Sequence, residues 1–280
     1  MELLVCVKQV PDTSEIKLDP VTNNLIRTGL PSIVNPYDVH ALEAALAVKD
    51  RVPGSRVTVI SMGPPQAEDA LRECMSLGAD AAWLITDRAF GGADTLATSY
   101  TIASGIRYVQ DKIGAAFDMI FCGKQAIDGD TAQVGPQIAE ELGMPQVTYA
   151  FDLEVEEGGT VRVVREHESG LEVLRCALPL LLTATKEMNE PREPGFWASV
   201  HAKRYEIGRI TAADMAVDAA RLGLAGSPTR VRKVYQPPLR TEGIMLTGDA
   251  ATCVDRIEAV IRSVRESAGA EGGQTDAAIQ

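Results

Sequence analysis

The residues best suited to chemistry in this sequence lie in a glycine-containing loop, CGKQAIDGDTAQVG, at 122–135. The loop follows a predicted strand and leads into a helical pattern, so its last main-chain amides would point outward with the positive end of the helix dipole behind them. Those amides belong to Thr131, Ala132, Gln133 and Val134. The loop therefore predicts a cradle for an anion such as a phosphate. The alternative is that Asp130 only caps the helix and that the glycines, Gly123, Gly129 and Gly135, shape an ordinary turn.

Three other loops follow predicted strands in the same way: KQVPDT (8–13), SMGPP (61–65) and TDRAFGGADT (86–95). Open α/β sheets bind ligands beyond the carboxyl ends of their strands, so all four loops are candidates for one site. Glycine matters in such loops because it tolerates positive φ and lets a ligand approach the backbone closely. Gly91 and Gly92 could cradle a cofactor, whereas Asp94 could serve only as the cap of the next helix.

The common motifs for catalysis are absent from the sequence. There is no G-x-x-x-x-G-K-[ST], no G-x-G-x-x-G after the first strand, no G-x-S-x-G and no H-E-x-x-H. The five cysteines are scattered, with no C-x-x-C pair and only three histidines in the chain, so neither a disulfide framework nor a zinc site is predicted. The residues alone therefore predict a nucleotide- or phosphate-binding domain and name no reaction.

The elements that must position these loops alternate between short apolar runs and helical patterns over residues 1–145. This alternation is typical of an α/β fold with a doubly wound, mostly parallel sheet, of the adenine-nucleotide-binding, flavodoxin/Rossmann-like kind. The periodicity predicts strands at 3–10, 56–62, 81–86 and 117–122. It predicts helices that begin at Asn35-Pro36, follow the second strand up to Gly78, and span 93–113 and 131–142.

After Pro145 the pattern changes to short alternating strands with a turn at Gly158-Gly159, which predicts an antiparallel excursion that completes the sheet over 145–192. We expect an α/β nucleotide-binding domain over 1–200. An extended C-terminal arm and a helix near 249–267 would make up 201–267, and a disordered tail would follow at 268–280.

Charge and hydropathy limit the partners. The net charge of −12 argues against nucleic acid, whose binding depends on Lys and Arg contacts to phosphate. No apolar run approaches the length of about 18 residues that a membrane span requires. The N-terminus lacks the early positive charge and long apolar stretch of a signal peptide, so we expect a cytoplasmic protein.

One longer stretch, REHESGLEVLRCALPLLLTATKEMNEPR (165–192), resembles the characteristic segment of electron transfer flavoprotein β subunits. That family has R-E, then G-L-E-x-L-R, L-P, T-A and N-x-P-R in this order. The resemblance extends to VCVKQVPDT, NPYDVHALEAAL, SMGPPQA, CGKQAIDGDTAQVGP and GSPT, and so covers roughly residues 1–240.

The resemblance implies a subunit that holds a nucleotide and helps to enclose the flavin of an α subunit. Ordinary members hold AMP, whereas members of electron-bifurcating complexes hold a second FAD. Gly129, Ala132 and Val134 stand where the AMP-holding kind has an acid, an asparagine and a threonine. These differences remove side-chain donors suited to a terminal phosphate and leave room for a diphosphate on main-chain amides, which favours FAD. The segment DRAFGGADTLATS (87–99) also resembles the bifurcating kind, in which it lies by the isoalloxazine ring.

In the bifurcating kind, the resemblance implies that NADH gives a hydride to the β-subunit FAD. One electron then passes to ferredoxin or flavodoxin and the other, through the α-subunit FAD, to an acyl-CoA dehydrogenase. The flavin carries this chemistry, so no catalytic acid, base or metal is predicted. The alternatives are a non-bifurcating subunit with AMP and a stand-alone nucleotide-hydrolysing α/β protein.

The predicted cofactor-binding residues lie in the four loops and at the start of the first helix. They are Cys6, Val7, Lys8, Asn35, Met62, Gly63, Pro64, Gly91, Gly92, Ala93, Asp94, Thr95, Thr98, Gly123, Lys124, Gln125, Asp128, Gly129, Asp130, Thr131, Ala132, Gln133, Val134 and Gly135. The resemblance also places Phe196, beside Trp197, at the anchor that docks on a dehydrogenase. The alternative is that this aromatic pair closes the local core.

Overall fold

The computed structural model describes residues 1–12, 31–156, 158–230, 243 and 245–275. The chain divides into two compact units, Met1–Arg230 and Val231–Gln280. The first unit extends beyond residue 200, where the sequence had placed the end of the nucleotide-binding domain. Within the predicted extended arm, residues 231–242 and 244 lie outside the described residues.

The first unit is built on one large sheet, which has nine strands within the described residues, in the order β11-β5-β4-β1-β6-β10-β7-β8-β9. The strands are β1 (Glu2–Cys6), β4 (Arg56–Met62), β5 (Ala81–Ile85), β6 (Met119–Gly123), β7 (Gln146–Val155), β8 (Thr160–His167), β9 (Gly170–Ala177), β10 (Leu180–Ala184) and β11 (Gly208–Ile210). Strands β11 to β7 in that order run parallel, and β8 and β9 are antiparallel additions. The predicted doubly wound α/β class with an antiparallel excursion is confirmed.

Helices cover both faces of this sheet, as buried parallel strands require. In the first unit they are α1 (Pro36–Arg51), α2 (Glu68–Leu77), α3 (Thr95–Ile113), α4 (Val134–Leu142) and α5 (Phe196–Arg204). One core lies between the sheet and α1 and α2, and includes Leu42 and Phe121. The other lies between the sheet and α3 and α4, and includes Ile106 and Ile120. Alternate residues of β6 thus point into opposite cores, as the strand period of two dictates.

Three elements differ most from the predictions. The first predicted strand, 3–10, is two strands, because β1 ends at Cys6 and Gln9–Pro11 forms β2, which pairs antiparallel with β3 (Ser32–Val34). Strand β11 extends the sheet beside β5, although weak periodicity hid it. Helix α4 begins at Val134 and not at residue 131, because Asp130 and Ala132 adopt positive φ angles of 50° and 53°, outside the helical region.

The second unit contains one described helix, α6 (Ala250–Thr275), where the sequence predicted a helix near 249–267. Part of the predicted disordered tail thus lies within this helix, and residues 276–280 lie outside the described residues. Exposed apolar side chains follow one face of α6: Val254, Ile257, Val260, Ile261 and Val264. Among the helices that the structure describes, none combines the length and hydropathy that a membrane crossing needs.

Candidate functional site

The candidate site lies where the strand order reverses. Strand β1 pairs with β4 on one side and with β6 on the other, so the carboxyl ends of β1 and β6 flank a topological switch point. Ligands of open α/β sheets bind in the crevice outside such a point. Val7-Lys8 follows β1 and Gly123-Lys124 lies at the end of β6, so both pairs border this crevice. The sequence analysis had predicted all four residues as part of the site.

Asn35, at the start of α1, holds the loop that follows β6. Its side-chain Nδ2 donates to the carbonyl oxygen of Gln125 at 2.8 Å, and its Oδ1 accepts the amide of Ile127 at 3.1 Å. The residue is only 1% exposed. The structure therefore gives the predicted cofactor residue Asn35 a structural role, because the loop itself occupies both of its polar atoms.

Asp38, in the first turn of α1, is a site residue that the sequence analysis missed. Its carboxylate accepts the amide of Lys8 at 2.7 Å and the amide of Gly123 at 3.2 Å, so it joins the ends of β1 and β6. Burial raises the pKa of Asp38 to about 7, although hydrogen bonds from Asn35 and from the two amides act in the other direction. The signal available in the sequence was an acid beside Asn35-Pro36 in the first turn of an apolar helix.

Two glycines of the predicted cradle are required by close packing. A Cβ atom at Gly123 would collide with the Asp38 carboxylate and would approach Tyr37 Cβ to 2.7 Å. A Cβ atom at Gly135 would lie 2.7 Å from Thr183 Cγ2. By contrast, a Cβ atom at Gly129 would meet nothing within 4 Å, so open space lies beside that residue.

The loop before α4 forms the open part of the site. Asp130 accepts a hydrogen bond from Gln125 Nε2 at 2.8 Å, and no side chain caps α4, whose N-cap residue is Gln133. The alternative interpretation of Asp130 as a helix cap is therefore wrong. Within the described residues, no hydrogen-bond acceptor is found for the amides of residues 131–135. These amides, at a helix N-terminus, form a surface suited to an anion.

The mouth of this cradle carries one ion pair. Lys8 Nζ lies 2.7 Å from Asp128 Oδ1, and both side chains are partly exposed. Such a pair contributes little to stability, and it links the loop to the residue two positions after the end of β1. Lys124 points elsewhere, because its ammonium group lies 4.8 Å from the centre of the Tyr149 ring and 3.9 Å from Glu166.

The loop that follows β5 joins the cradle through Thr95. Thr95 Oγ1 donates to Gln133 Oε1 at 3.0 Å, so the starts of α3 and α4 are in contact. Gln137 Nε2 lies 3.5 Å from the same hydroxyl oxygen. Gln137 Oε1 is buried and has no hydrogen-bond partner in the described part of the chain. The structure thus brings two of the predicted loops together at one position.

Asp94 acts as a cap and not as a ligand donor. Its Oδ1 accepts the amides of Leu96 and Ala97, and its Oδ2 accepts both the amide and the hydroxyl of Thr229. Within the same loop, the carbonyl oxygen of Gly91 accepts the amide of Leu224 at 3.1 Å. The loop at Gly91, Gly92 and Ala93 is therefore held by residues 222–229, and Thr98 lies in the helical turn that Asp94 begins.

The remaining predicted residues lie at the same edge of the sheet. The amide of Gly63 donates to the carbonyl oxygen of Ile85 at 3.0 Å, which fixes Met62, Gly63 and Pro64 at the carboxyl end of β4. Cys6 and Cys122 face each other on β1 and β6 and are buried. A hydrogen bond with Cys6, together with burial, raises the pKa of Cys122 well above its usual range, so this thiol stays protonated. No cluster of metal-binding side chains is found among the described residues.

Phe196 and Trp197 lie far more exposed than core residues would. They are 73% and 79% exposed, and their rings form an edge-to-face pair with centres 5.2 Å apart at the start of α5. The alternative that these aromatic residues close the local core is therefore wrong.

Comparison with known proteins identifies relatives over most of the chain. A family model described as the electron transfer flavoprotein domain matches residues 22–215. The chain is 53% identical over 267 residues to the electron transfer flavoprotein subunit beta of Megasphaera elsdenii, which covers 95% of this chain and 97% of the relative. It is 50% identical over 248 residues to the caffeyl-CoA reductase-Etf complex subunit CarD of Acetobacterium woodii, with coverage of 89% and 92%. It is 47% identical over 245 residues to protein FixA of Azorhizobium caulinodans, with coverage of 86% and 86%.

Proposed function

The chain belongs to the electron transfer flavoprotein β subunits, and on this premise we propose that its cradle holds an FAD that takes part in electron bifurcation together with an α subunit. The observation that carries this proposal is the set of amides at residues 131–135, which have no acceptor among the described residues and belong to the same loop as the unobstructed Gly129. A diphosphate needs several main-chain donors and space around them, and this loop offers both.

The fit to FAD rests on this chain's own residues. The loop has glycine, alanine and valine at positions 129, 132 and 134, so it offers main-chain donors in place of side-chain donors. The buried Gln137 Oε1, without a partner among the described residues, adds an acceptor beside the cradle. Thr95 and Gln133 would orient the ligand where α3 and α4 meet.

The chemistry comes from the cofactor, and the chain positions it. When bound, the flavin would take a hydride from NADH and supply single electrons to two acceptors. Burial and a hydrogen bond with Cys6 raise the pKa of the Cys122 thiol, so this thiol stays protonated and contributes no nucleophile. The carboxylates of Asp38 and Asp94 are occupied by main-chain amides, so neither offers a free base to the site.

The proposed partners follow from the same family. Ferredoxin or flavodoxin would take one electron, and the α-subunit FAD would pass the other to or from an acyl-CoA dehydrogenase. We assign the exposed apolar face of α6, which includes Val254, Ile257 and Ile261, to contact with the α subunit. The relative CarD is named as a subunit of a caffeyl-CoA reductase-Etf complex, which supports a role for this chain in a larger complex. The proposed location is the cytoplasm, where NADH is available.

Cofactor content tests the proposal directly. The chain is coexpressed with its α subunit, the complex is purified, and released flavin and adenylate are quantified by chromatography. We expect two FAD per heterodimer and reduction of one of them by NADH. One FAD with one AMP, and no response to NADH, would instead identify the non-bifurcating kind. Turnover of ATP by the chain alone would support the third alternative, a nucleotide-hydrolysing protein.

The exposed aromatic pair provides a second test. Replacing Phe196 and Trp197 with alanine is expected to raise the apparent KM for the acyl-CoA dehydrogenase about 30-fold, because an aromatic anchor buried in an interface contributes about 2 kcal/mol. Reduction of the complex by NADH should not change, since the pair lies outside the cradle. Steady-state electron transfer at varied dehydrogenase concentration measures the effect.

A matched control is available in Ile113, an exposed apolar residue at the last turn of α3. Ile113→Ala removes apolar surface elsewhere and should leave the apparent KM unchanged. An unchanged KM in the double aromatic variant would rule out docking through this pair.

A further inference from the structure

The Asp38 carboxylate occupies an unusual position, and the inference drawn from it rests on the proposed function of the cradle. Asp38 is 6% exposed, and its carboxylate accepts one amide from each side of the switch-point crevice. The amide of Lys8, which follows β1, lies 2.7 Å from Asp38 Oδ2. The amide of Gly123, the last residue of β6, lies 3.2 Å from Asp38 Oδ1. In an open α/β sheet, amides in these positions would otherwise face a bound phosphate.

We infer that Asp38 is a positioning residue of the nucleotide site, which ties the ends of β1 and β6 together and takes their two amides away from the ligand. The ligand's phosphates are then left with the amides of residues 131–135. Those amides sit close by, because Gly135 packs against Cys122, the neighbour of Gly123 on β6. A single carboxylate thereby decides which main-chain donors face the nucleotide.

The fit between Asp38 and Gly123 supports this assignment. A side chain at Gly123 would collide with the carboxylate, so the strand end can approach α1 this closely only with glycine. The polar side chain of Asn35 in the preceding turn then fixes the next segment of the same loop through Gln125 and Ile127. Asn35 and Asp38, at the N-terminal end of α1, thus hold three points on the path from β6 to the cradle, namely Gly123, Gln125 and Ile127.

The charge of Asp38 has a consequence for binding. The ionisable groups that face it are Lys8 after β1, Cys122 on β6 and Cys74 on α2, and Lys8 is itself paired with Asp128. The pKa of Asp38 is about 7, so its carboxyl gains a proton near neutral pH. A bound anion disfavours a nearby negative charge, so binding of the anion should take up a proton at Asp38. Affinity for the anion is therefore higher below pH 7 and lower above it.

The test uses the complex with the α subunit and FAD as the probe. We expect wild-type affinity for the β-site FAD to fall about fivefold between pH 6 and pH 8, because anion binding that raises a pKa near 7 by about one unit has a limit of about tenfold and this pH range covers part of it. Asp38→Asn keeps the shape of the side chain and removes its titration, so its affinity should change less than about twofold over that range. The inference would be overturned if FAD affinity depended on pH equally in the two proteins, or if wild-type affinity did not depend on pH.

A second measurement separates this inference from the proposed function. With nitrogen-15 label in the β chain only, the amide resonances of Lys8 and Gly123 should shift between pH 6 and pH 8 in the wild type and stay fixed in Asp38→Asn. This readout needs no FAD at the β site. If the wild-type complex holds no FAD there, the proposed function fails. If the two resonances do not respond to pH, the assignment of Asp38 fails.

Asp128→Asn is the matched control. It removes a carboxylate from the mouth of the same site, where Asp128 pairs with Lys8, but it leaves the two clamped amides in place. The slope of FAD affinity against pH should persist in this variant. If FAD affinity no longer depended on pH in Asp128→Asn, the pH dependence would belong to the Lys8–Asp128 pair, and the role given to Asp38 would be overturned.

Discussion

Replacing Gly129 with aspartate is expected to weaken binding of the β-site FAD on the order of 100-fold. The new carboxylate would project into open space beside the amides of residues 131–135, where the diphosphate is proposed to bind. Two like charges about 5 Å apart repel by about 3 kcal/mol at the effective dielectric constant of a protein surface. Because a Cβ atom at this position meets no neighbour within 4 Å, the loop itself should not be disturbed.

Two variants at the same position isolate the charge. Gly129→Ala adds only a methyl group, and Gly129→Asn adds the bulk of aspartate without its charge, so both should keep most of their FAD. Flavin content after gel filtration and titration of the stripped complex with FAD measure the affinities. Full FAD content in Gly129→Asp would place the diphosphate elsewhere, and equal loss in Gly129→Asn would identify bulk as the cause.

Replacing Asn35 with aspartate is expected to lower the free energy of unfolding by about 3 kcal/mol and to lower FAD content as well. The buried side chain donates to the carbonyl oxygen of Gln125, and a carboxylate would place a second acceptor against that oxygen. Asp38 lies one helical turn away, so two acids would share a buried region. An unsatisfied buried carbonyl costs about 1–3 kcal/mol, and an unpaired buried charge costs at least as much.

Urea unfolding of the complex measures this loss, and limited proteolysis reports whether the loop at 124–128 has become accessible. The control is Gln9→Glu, which makes the same change of amide to carboxylate in a group that donates to the carbonyl oxygen of Gln66 at an exposed site. This control should stay within about 0.5 kcal/mol of the wild type. If Asn35→Asp is no less stable than Gln9→Glu, Asn35 does not hold the loop.

These two predictions separate two kinds of residue in the site. Gly129 belongs to the open surface that faces the ligand, so its variants should change binding without changing the fold. Asn35 belongs to the supporting contacts behind that surface, so its variants should change both. Asp38 is intermediate, since its contacts are buried but its charge acts on whatever the cradle binds. The proposed function thus depends on a cradle built from main-chain donors and held by buried polar side chains.

Several features of the site followed from local patterns. Alternating apolar runs predicted the strands and helices, and the glycines between them marked the loops that meet at one edge of the sheet. Asp94 illustrates a limit, because the sequence allowed it to be either a ligand donor or a cap. The structure decided for the cap, since its two carboxylate oxygens are occupied by Leu96, Ala97 and Thr229. Thr229 comes from a segment far along the chain, which periodicity does not register.

The sequence by itself determined the α/β class, the family and the four loops, because these depend on periodicity and on residue types at short spacing. Only the tertiary structure decided which amides of those loops remain open. Asp38 takes the amides of Lys8 and Gly123, and Asn35 takes the carbonyl oxygen of Gln125, across 30 to 90 residues of sequence. A main-chain amide has the same character at every residue, so its availability to a ligand depends on the acceptors that the fold brings to it.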